Sequence, residues 1–101
     1  MLAERNPAGA RPAFEQALTL DAANPHARAG LGETLLRLNE PGSALPQAQA
    51  ATKLRPRRAR YQVLLGDVLS AMGKLDDAQA AWRKALALDA NDSEAKQRLS
   101  R

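Results

Sequence analysis

The feature that most constrains this chain is an internal repeat with a period of 34 residues. Shifted by that distance, Leu31-Gly32 falls on Leu65-Gly66, and Leu99 extends the leucine series. Single residues recur in threes at the same offset: Ala10, Ala44 and Ala78; Ala17, Ala51 and Ala85; Leu20, Leu54 and Leu88. A period of about 20–50 residues is typical of arrays in which each unit buries its apolar face only against its neighbours. The spacing therefore predicts a stack of similar units.

Each period contains two stretches in which apolar residues follow the spacing of a helix. In residues 25–38, Leu31, Leu35 and Leu38 form one stripe, and residues 59–72 repeat it. Turn-forming and helix-breaking residues separate the stretches: Asn6-Pro7, Asn24-Pro25, Glu40-Pro41-Gly42, Arg55-Pro56 and Gly73. Antiparallel helix pairs joined by short turns follow from this alternation.

Composition agrees with an all-helical fold. The chain has 22 alanines and 16 leucines but two valines, no isoleucine and three aromatic residues. Sheets are built mainly from β-branched and aromatic side chains, so an all-β or parallel α/β domain is excluded. The absence of cysteine excludes a disulfide scaffold, a thiolate zinc site and a cysteine nucleophile.

Two prolines limit where the second helix of each pair can begin. Pro12 and Pro46 lie one period apart, and a proline deep in a helix costs about 3 kcal/mol. We therefore expect these helices to start near residues 10 and 44, so that both prolines fall in the first turn. The expected N-capping residues of the three second helices and of a terminal helix ending near Ser100 are Gly9, Ser43, Asp76 and Ser93.

This helix–turn–helix unit resembles the tetratricopeptide repeat, whose pattern reads W-x2-L-G-x2-Y, then A-x3-F, then P. The first helices match at Leu31, Gly32 and Leu35 and at Leu65, Gly66 and Leu69. The second helices match at Ala10 and Phe14, at Ala44, and at Ala78 and Trp82, and Pro56 takes the closing position. The pattern is broken at Arg28 and Gln62 in the tryptophan position, at Ala48 in the aromatic position, and at Ala22 and Ala90 in the proline position.

The resemblance implies an all-α, right-handed α-solenoid of about 2.5 repeats and a capping helix. As a single domain, residues 1–101 would divide into a half repeat at 7–24, full repeats at 25–58 and 59–92, and a terminal helix at 93–101. Residues 1–5 are too short for a full first helix. The chain would then either belong to a longer protein or leave its N-terminal half-repeat uncovered.

The resemblance also implies a non-catalytic scaffold that holds a segment of a protein or peptide partner in a concave surface lined by the first helices. Helical spacing places residues 26, 29, 33, 36 and 37 opposite the leucine stripe. The positions that the resemblance assigns to the groove are His26, Ala29, Glu33, Leu36, Arg37, Arg60, Val63, Asp67, Ser70, Gln97 and Arg98. An alternative function is homo-oligomer formation through the uncovered half-repeat.

Some members of the family clamp a C-terminal carboxylate with lysine and asparagine, but this chain has Ala29, Glu33 and Leu64 at the matching positions. Glu33 and Asp67 recur one period apart. Carboxylates there would favour a basic or polar–apolar segment over an acidic tail. The competing interpretation is that both side chains are solvated charges on the helix surface.

The densest run of charge is an arginine cluster at an inter-repeat turn, and the formal net charge is +4. One interpretation is an anion-binding patch formed by Arg55, Arg57, Arg58 and Arg60. Only Tyr61 provides an adjacent aromatic ring, so base stacking has little to work with and a nucleic-acid partner is not favoured. A solvated turn is the simpler interpretation.

Sequence motifs for catalysis and for cofactors are absent. No glycine-rich phosphate loop occurs, and His26 has no second histidine or cysteine to complete a metal site. The aspartates at 76–77 and 89–92 lack the spacing of a calcium loop. No apolar run could span a membrane, and no signal peptide is visible. We therefore expect a non-enzymatic cytoplasmic chain without metal or cofactor.

Overall fold

Two of the first helices, Pro25–Arg37 and Ser93–Leu99, begin directly after residues whose side chains cap the helix. A computed structural model of the protein describes residues 7–100, and every regular element in that range is an α-helix. The elements are α1 (Pro7–Leu20), α2 (Pro25–Arg37), α3 (Pro41–Leu54), α4 (Ala59–Ala71), α5 (Leu75–Leu88) and α6 (Ser93–Leu99). Each helix packs against the next, and α2 also contacts α4. The predicted all-α solenoid is confirmed.

Helices α2 and α6 have side-chain N-caps at equivalent positions. Asn24 Oδ1 accepts a hydrogen bond from the Ala27 backbone N–H at 3.1 Å. Asp92 Oδ1 accepts one from the Ala95 N–H at 3.0 Å, so Asp92, and not the predicted Ser93, is the cap. The third equivalent, Arg58, makes no cap because its side chain has no acceptor, and α4 starts without that stabilisation.

The predicted starts of α1 and α3 were wrong by three residues. The helices begin at Pro7 and Pro41, so Gly9 lies inside α1 and Ser43 inside α3, and neither is an N-cap. Proline is favoured at the first helical position, where its fixed φ suits the helix and its missing N–H has no partner to lose. The cost of the later proline in each helix has to be offset by packing on the neighbouring helices.

Pro46 is consequently the sixth residue of α3. It cannot donate the helical hydrogen bond to the Gly42 carbonyl, and Pro12 has the same position in α1. Pro46 and Gly42 are both exposed, so the Gly42 carbonyl that lacks this bond lies on a solvent-facing part of the first turns of α3.

Helix α5 starts one residue before its predicted cap. Leu75 is its first residue and Lys74 is at the cap position, so Asp76 is not the N-cap. Asp76 and Asp77 instead lie in the first turn, where their negative charge interacts favourably with the positive end of the helix dipole.

The turns inside the two full repeats share one hydrogen-bond pattern. Asn39 and Gly73 have positive φ values of 62° and 81°. Beyond α2, the Glu40 N–H donates to the Leu35 carbonyl at 2.9 Å, and Lys74 does the same to Leu69 at 2.9 Å beyond α4. This is the Schellman motif, which ends a helix by a left-handed residue and satisfies its last carbonyls. The turn reverses the chain in three residues, so each pair is antiparallel.

Two clusters of buried side chains hold the stack together, and α4 contributes to both. One joins α4, α5 and α6 through Val63, Trp82 and Ala95. The other joins α1–α4 and includes Leu35 and Val68. The recurring alanines at the helix contacts have no exposed surface: Ala44, Ala51, Ala78 and Ala85. Within the described range, no helix combines the length and apolarity that crossing a bilayer requires.

Candidate partner-binding groove

A groove of about 390 Å³ runs across the first helices and is lined by residues of α1, α2, α4 and α6. Its apolar lining consists of Phe14, Ala29, Gly30, Leu36, Tyr61, Val63 and Leu64. Its polar lining consists of His26, Glu33, Arg37, Arg60, Asp67, Glu94 and Arg98. The repeat explains this convergence, because equal positions on α2, α4 and α6 face the same side of the stack.

Positions one period apart form rows across the groove, but their chemistry differs. His26, Arg60 and Glu94 form one such row, so an imidazole, a guanidinium and a carboxylate follow each other from α2 to α6. All three side chains are exposed. A segment lying across the helices would therefore meet a different group at each repeat.

The structure places nine of the eleven predicted groove residues on this lining: His26, Ala29, Glu33, Leu36, Arg37, Arg60, Val63, Asp67 and Arg98. The other two lie elsewhere. Ser70 is half-buried near the end of α4, and Gln97 is exposed on α6.

Sequence reasoning missed three apolar residues of the lining: Phe14, Gly30 and Tyr61. Phe14, which the sequence places only in the aromatic position of the repeat pattern, is half-buried and packs against the core cluster of α1–α4. Its ring covers Gly30 so closely that a Cβ atom there would overlap it, and it meets His26 edge-to-face at 6.3 Å between centroids. In the sequence, the signal for this close approach was Gly30, which lies one helical turn after His26.

The strongest polar contact of the groove is an ion pair between α4 and α6. Arg98 donates from Nε to Asp67 Oδ1 at 2.6 Å and from Nη2 to Oδ2 at 3.0 Å. Trp82 Nε1 donates to the same Oδ1 at 3.2 Å, which ties α5 to the pair. Both charged side chains are about a quarter exposed, at 24% for Asp67 and 26% for Arg98. Asp67 is thus held by two neighbouring helices.

The bond to Asp67 raises the pKa of Arg98 above its already very high ordinary value, and partial burial opposes the rise. The folded pKa exceeds the unfolded one, so the stabilisation is complete below the ordinary arginine pKa and is lost only in strongly alkaline solution. Titration of Arg98 therefore adds no change of stability near neutral pH.

Glu33 is equivalent to Asp67 by one period but has a different environment. Its contact is with Arg37 on the same helix, at 3.5 Å, with both side chains more than half exposed. Exposed pairs of this kind contribute about 0.3–0.5 kcal/mol. That Glu33 and Asp67 together favour a basic or polar–apolar segment stays a prediction, and the two sites differ because the Asp67 carboxylate is already paired within the chain.

The arginines of the cluster differ in their local contacts, and the anion-binding patch stays a prediction. Arg55 Nη1 donates to the Leu54 carbonyl at 2.9 Å, and the Arg58 guanidinium lies 5.5 Å from the centroid of the Tyr61 ring. Arg60 points to the groove, whereas Arg57 is an exposed turn residue. Neighbours in sequence thus take part in three different local contacts.

Solved structures of similar shape come from several sources. The first TPR domain of Spaghetti (RPAP3), bound to the HSP90 peptide SRMEEVD, has a TM-score of 0.91 at 20% identity, and the match covers 98% of this chain and 79% of that one. The chaperone SycD of Yersinia enterocolitica, in complex with a peptide of the translocator YopD, has a TM-score of 0.83 at 19% identity, covering 98% and 76%. YrrB, a TPR protein with an unusual peptide-binding site, has a TM-score of 0.91 at 21% identity, covering 99% and 52%. At these identities the likeness shows the fold alone.

Among curated proteins, no sequence matches the chain. Two family models do match, both described as tetratricopeptide repeat, over residues 1–68 and 59–92. The first covers more than half of the chain, and together they span both full repeats. With the repeat spacing, the Schellman turns and the buried alanines, these matches show that the chain belongs to the tetratricopeptide repeat family.

Proposed function

We propose that the chain is a non-catalytic protein–protein interaction scaffold that receives an extended or helical partner segment in its groove. The observation that carries the proposal is the lining itself, with aromatic and aliphatic side chains below and charges of both signs at the rim. Two neighbours in fold, the Spaghetti domain and SycD, were solved with peptides, which supports this class of partner.

The exposed charges of the groove support a polar–apolar segment as the partner. Since Asp67 and Arg98 neutralise each other, the exposed rim charges are two acids, Glu33 and Glu94, and two bases, Arg37 and Arg60. Balanced charge gives neither sign an advantage, so side-chain packing on the apolar lining would supply most of the affinity. Of the two partner classes expected from the sequence, a basic segment and a polar–apolar segment, the balanced charge favours the polar–apolar one.

The walls of the groove are held in place by contacts that need no partner. The Asp67–Arg98 pair fixes α6 against α4, and the ring of Phe14 over Gly30 fixes α1 against α2. A preformed surface loses less conformational entropy on binding, which favours affinity for a short segment.

A random peptide library displayed on phage tests the proposal, followed by fluorescence-polarisation titration of the selected peptides. We expect Glu33→Lys and Arg60→Glu each to weaken binding about two- to fivefold, which corresponds to about 0.5–1 kcal/mol for an exposed charge contact. Both residues are exposed, so the fold should tolerate the changes. The matched controls are Gln79→Lys and Lys84→Glu, exposed on α5 outside the groove, and they should leave affinity unchanged.

Three results would contradict the proposal. The first is a library that yields no peptide above background. The second is a set of peptides whose affinity falls equally with the groove variants and with the controls. The third is a strong enrichment of acidic C-termini, which would contradict the polar–apolar class of partner.

A further inference from the structure

The turns between repeats share one backbone hydrogen bond, but the middle turn has a different charge. We call them the first, middle and third turns, at residues 21–24, 55–58 and 89–92. In each, the last residue donates its N–H to the carbonyl of the first residue, at 3.1, 3.2 and 3.1 Å respectively. This bond forms whether the turn holds acids or arginines, so the backbone does not require arginine in the middle turn.

Side-chain acceptors stabilise the first and third turns. Asp21 and Asp89 each accept a hydrogen bond from the backbone N–H two residues later, at 3.1 and 3.0 Å. Asn24 and Asp92, the last residues of these turns, are the N-caps of α2 and α6. Each of the two turns thus has two polar side chains that satisfy backbone donors.

The middle turn has arginine at both of these positions. Arg55 takes the place of the aspartate and Arg58 takes the place of the N-cap. A guanidinium group has no hydrogen-bond acceptor, so both side-chain contacts are lost. The Tyr61 N–H donates instead to the Arg58 backbone carbonyl at 3.1 Å. Positions that depart from a stabilising local pattern are expected where a chain has a further function.

The arginines of the middle turn have no acidic partner among the described residues. Arg55, Arg57 and Arg58 are exposed, and none of them belongs to an ion pair in that range. Arg55 donates one N–H to the Leu54 carbonyl, and the Arg58 guanidinium lies against the Tyr61 ring. These contacts hold two guanidiniums in place and leave most of their N–H donors to bind an anion from outside the chain.

The acids of the neighbouring turns limit which anion fits. Asp21 lies on one side and Asp89 and Asp92 lie on the other, so three negative charges flank three positive ones. The helices that follow these turns are neighbours, because α2 contacts α4 and the Arg98–Asp67 pair joins α6 to α4. Packed helices lie about 8–10 Å apart, close to the screening length at physiological salt. A nucleic-acid duplex or a membrane extends over several such distances and would meet both signs of charge.

From these observations we infer that the middle turn is a second interaction surface, which binds a short acidic segment of a partner protein. Carboxylates of the segment accept paired hydrogen bonds from the guanidiniums, for which arginine has the matching geometry. A short segment fits between the flanking aspartates without approaching them. Arg55, Arg57 and Arg58 are not part of the groove lining, so the turn and the groove can be tested separately.

Titration of the isotope-labelled chain with tetraglutamate, acetylated at its N-terminus and amidated at its C-terminus, tests the inference by NMR. The backbone signals of residues 54–60 and the side-chain Nε signals of the three arginines should shift and reach saturation. The signals of Ala29 and Leu36, which line the groove, should not shift. A titration without saturable shifts at the middle turn overturns the inference, and so does one in which only the groove responds.

Charge reversal at the turn is compared with the same reversal elsewhere. Arg57→Glu combined with Arg58→Glu should weaken tetraglutamate binding about tenfold, because each exposed contact contributes about two- to fivefold. The matched control is Arg83→Glu combined with Lys84→Glu, at two adjacent exposed positions on α5, with the same change of net charge. It should leave the affinity within about twofold of the parent chain. Equal losses in both variants would show that net charge alone attracts the peptide, which overturns the inference.

Arg55→Asp combined with Arg58→Asp tests whether the arginines serve binding or stability. This variant has the side-chain acceptors of the third turn, so its melting temperature should rise above that of the parent chain. Its binding to tetraglutamate should be lost. A lower melting temperature would show that the arginines stabilise the turn, through contacts such as that of Arg58 with Tyr61, and would overturn the inference.

A short DNA duplex and vesicles of anionic phospholipid, titrated at the same salt concentration, test the class of partner. Because of the flanking aspartates, both should bind more weakly than tetraglutamate. If either binds more tightly, and the charge reversal at the turn abolishes that binding while the α5 control does not, the turn is a site for that anion. Such a result overturns the assignment to an acidic protein segment.

Discussion

At the scale of single residues, positions one period apart do not have equal tolerance. Gly32 and Gly66 are equivalent, and both occupy the glycine position of the repeat pattern. A Cβ atom on Gly66 would overlap the indole of Trp82, whereas one on Gly32 would lie at an ordinary 3.4 Å from its nearest neighbours. The difference comes from the second helix, which has Trp82 in one repeat and Ala48 in the other.

We therefore expect Gly66→Ala to destabilise the chain and Gly32→Ala to leave its stability equal or higher. Overpacking costs about 1–3 kcal/mol, while alanine gains about 0.8–1.0 kcal/mol over glycine in a helix. Thermal unfolding followed by circular dichroism measures both, with about 4–8 °C per kcal/mol for a domain of this size. Equal shifts in the two variants would contradict the assignment of the Trp82 contact.

At the scale of elements, the helix boundaries separate what a sequence can predict from what it cannot. The first helices of the two full repeats were predicted at 25–38 and 59–72, and they are observed at Pro25–Arg37 and Ala59–Ala71. For these two helices the apolar stripe and the flanking turn residues indicate the same bounds, so local sequence signals were sufficient to predict them. The starts of α1 and α3 were misplaced because the cost of an internal proline was weighed without the preference for proline at the first position.

Pro46→Ala should stabilise α3 and with it the whole chain. The substitution restores a backbone donor for the Gly42 carbonyl and removes the ring from the helix interior, which is worth up to about 3 kcal/mol. Because Pro46 is exposed, no core contact is lost. Denaturant unfolding measures the gain. The control Pro41→Ala alters the first helical position and should bring no gain, so an equal rise in both variants would refute this explanation.

At the scale of the molecule, α4 couples the two halves of the stack. Val63 belongs to the cluster with α5 and α6, whereas Val68 belongs to the cluster with α1–α3. Among the residues whose burial is described, 8–100, Val68 is the largest side chain with no exposed surface. In repeat proteins, stability is shared between intrinsic and neighbour-interface terms, so a helix that contacts both sides affects the entire array.

Val68→Ala should lower the free energy of unfolding by about 1–3 kcal/mol, because it leaves a cavity between repeats. Native-state hydrogen exchange should become faster in α2 as well as in α5. Leu75→Ala is the control, since Leu75 is 58% exposed, and it should change neither measurement appreciably. A loss of protection confined to one side of α4 would show that the two clusters unfold independently.

The groove could be outlined from the sequence but not fully specified. Helical period and repeat spacing place residues such as Glu33 and Arg60 on one side of the stack, because every first helix is oriented alike. They do not show which charges pair between repeats. The bond from Arg98 to Asp67 joins residues 31 positions apart, and it depends on the rotation of α6 against α4.

That ion pair also bears on how such arrays can be recombined. Leu64 is the equivalent of Arg98 in the preceding repeat, and there it packs near Gly32 rather than binding an acid. A graft of residues 59–92 into another scaffold would thus bring Asp67 and Trp82 but leave the guanidinium behind. The unit that can be transplanted intact extends from α4 to Arg98, and it is offset from the 34-residue unit in which the sequence is written.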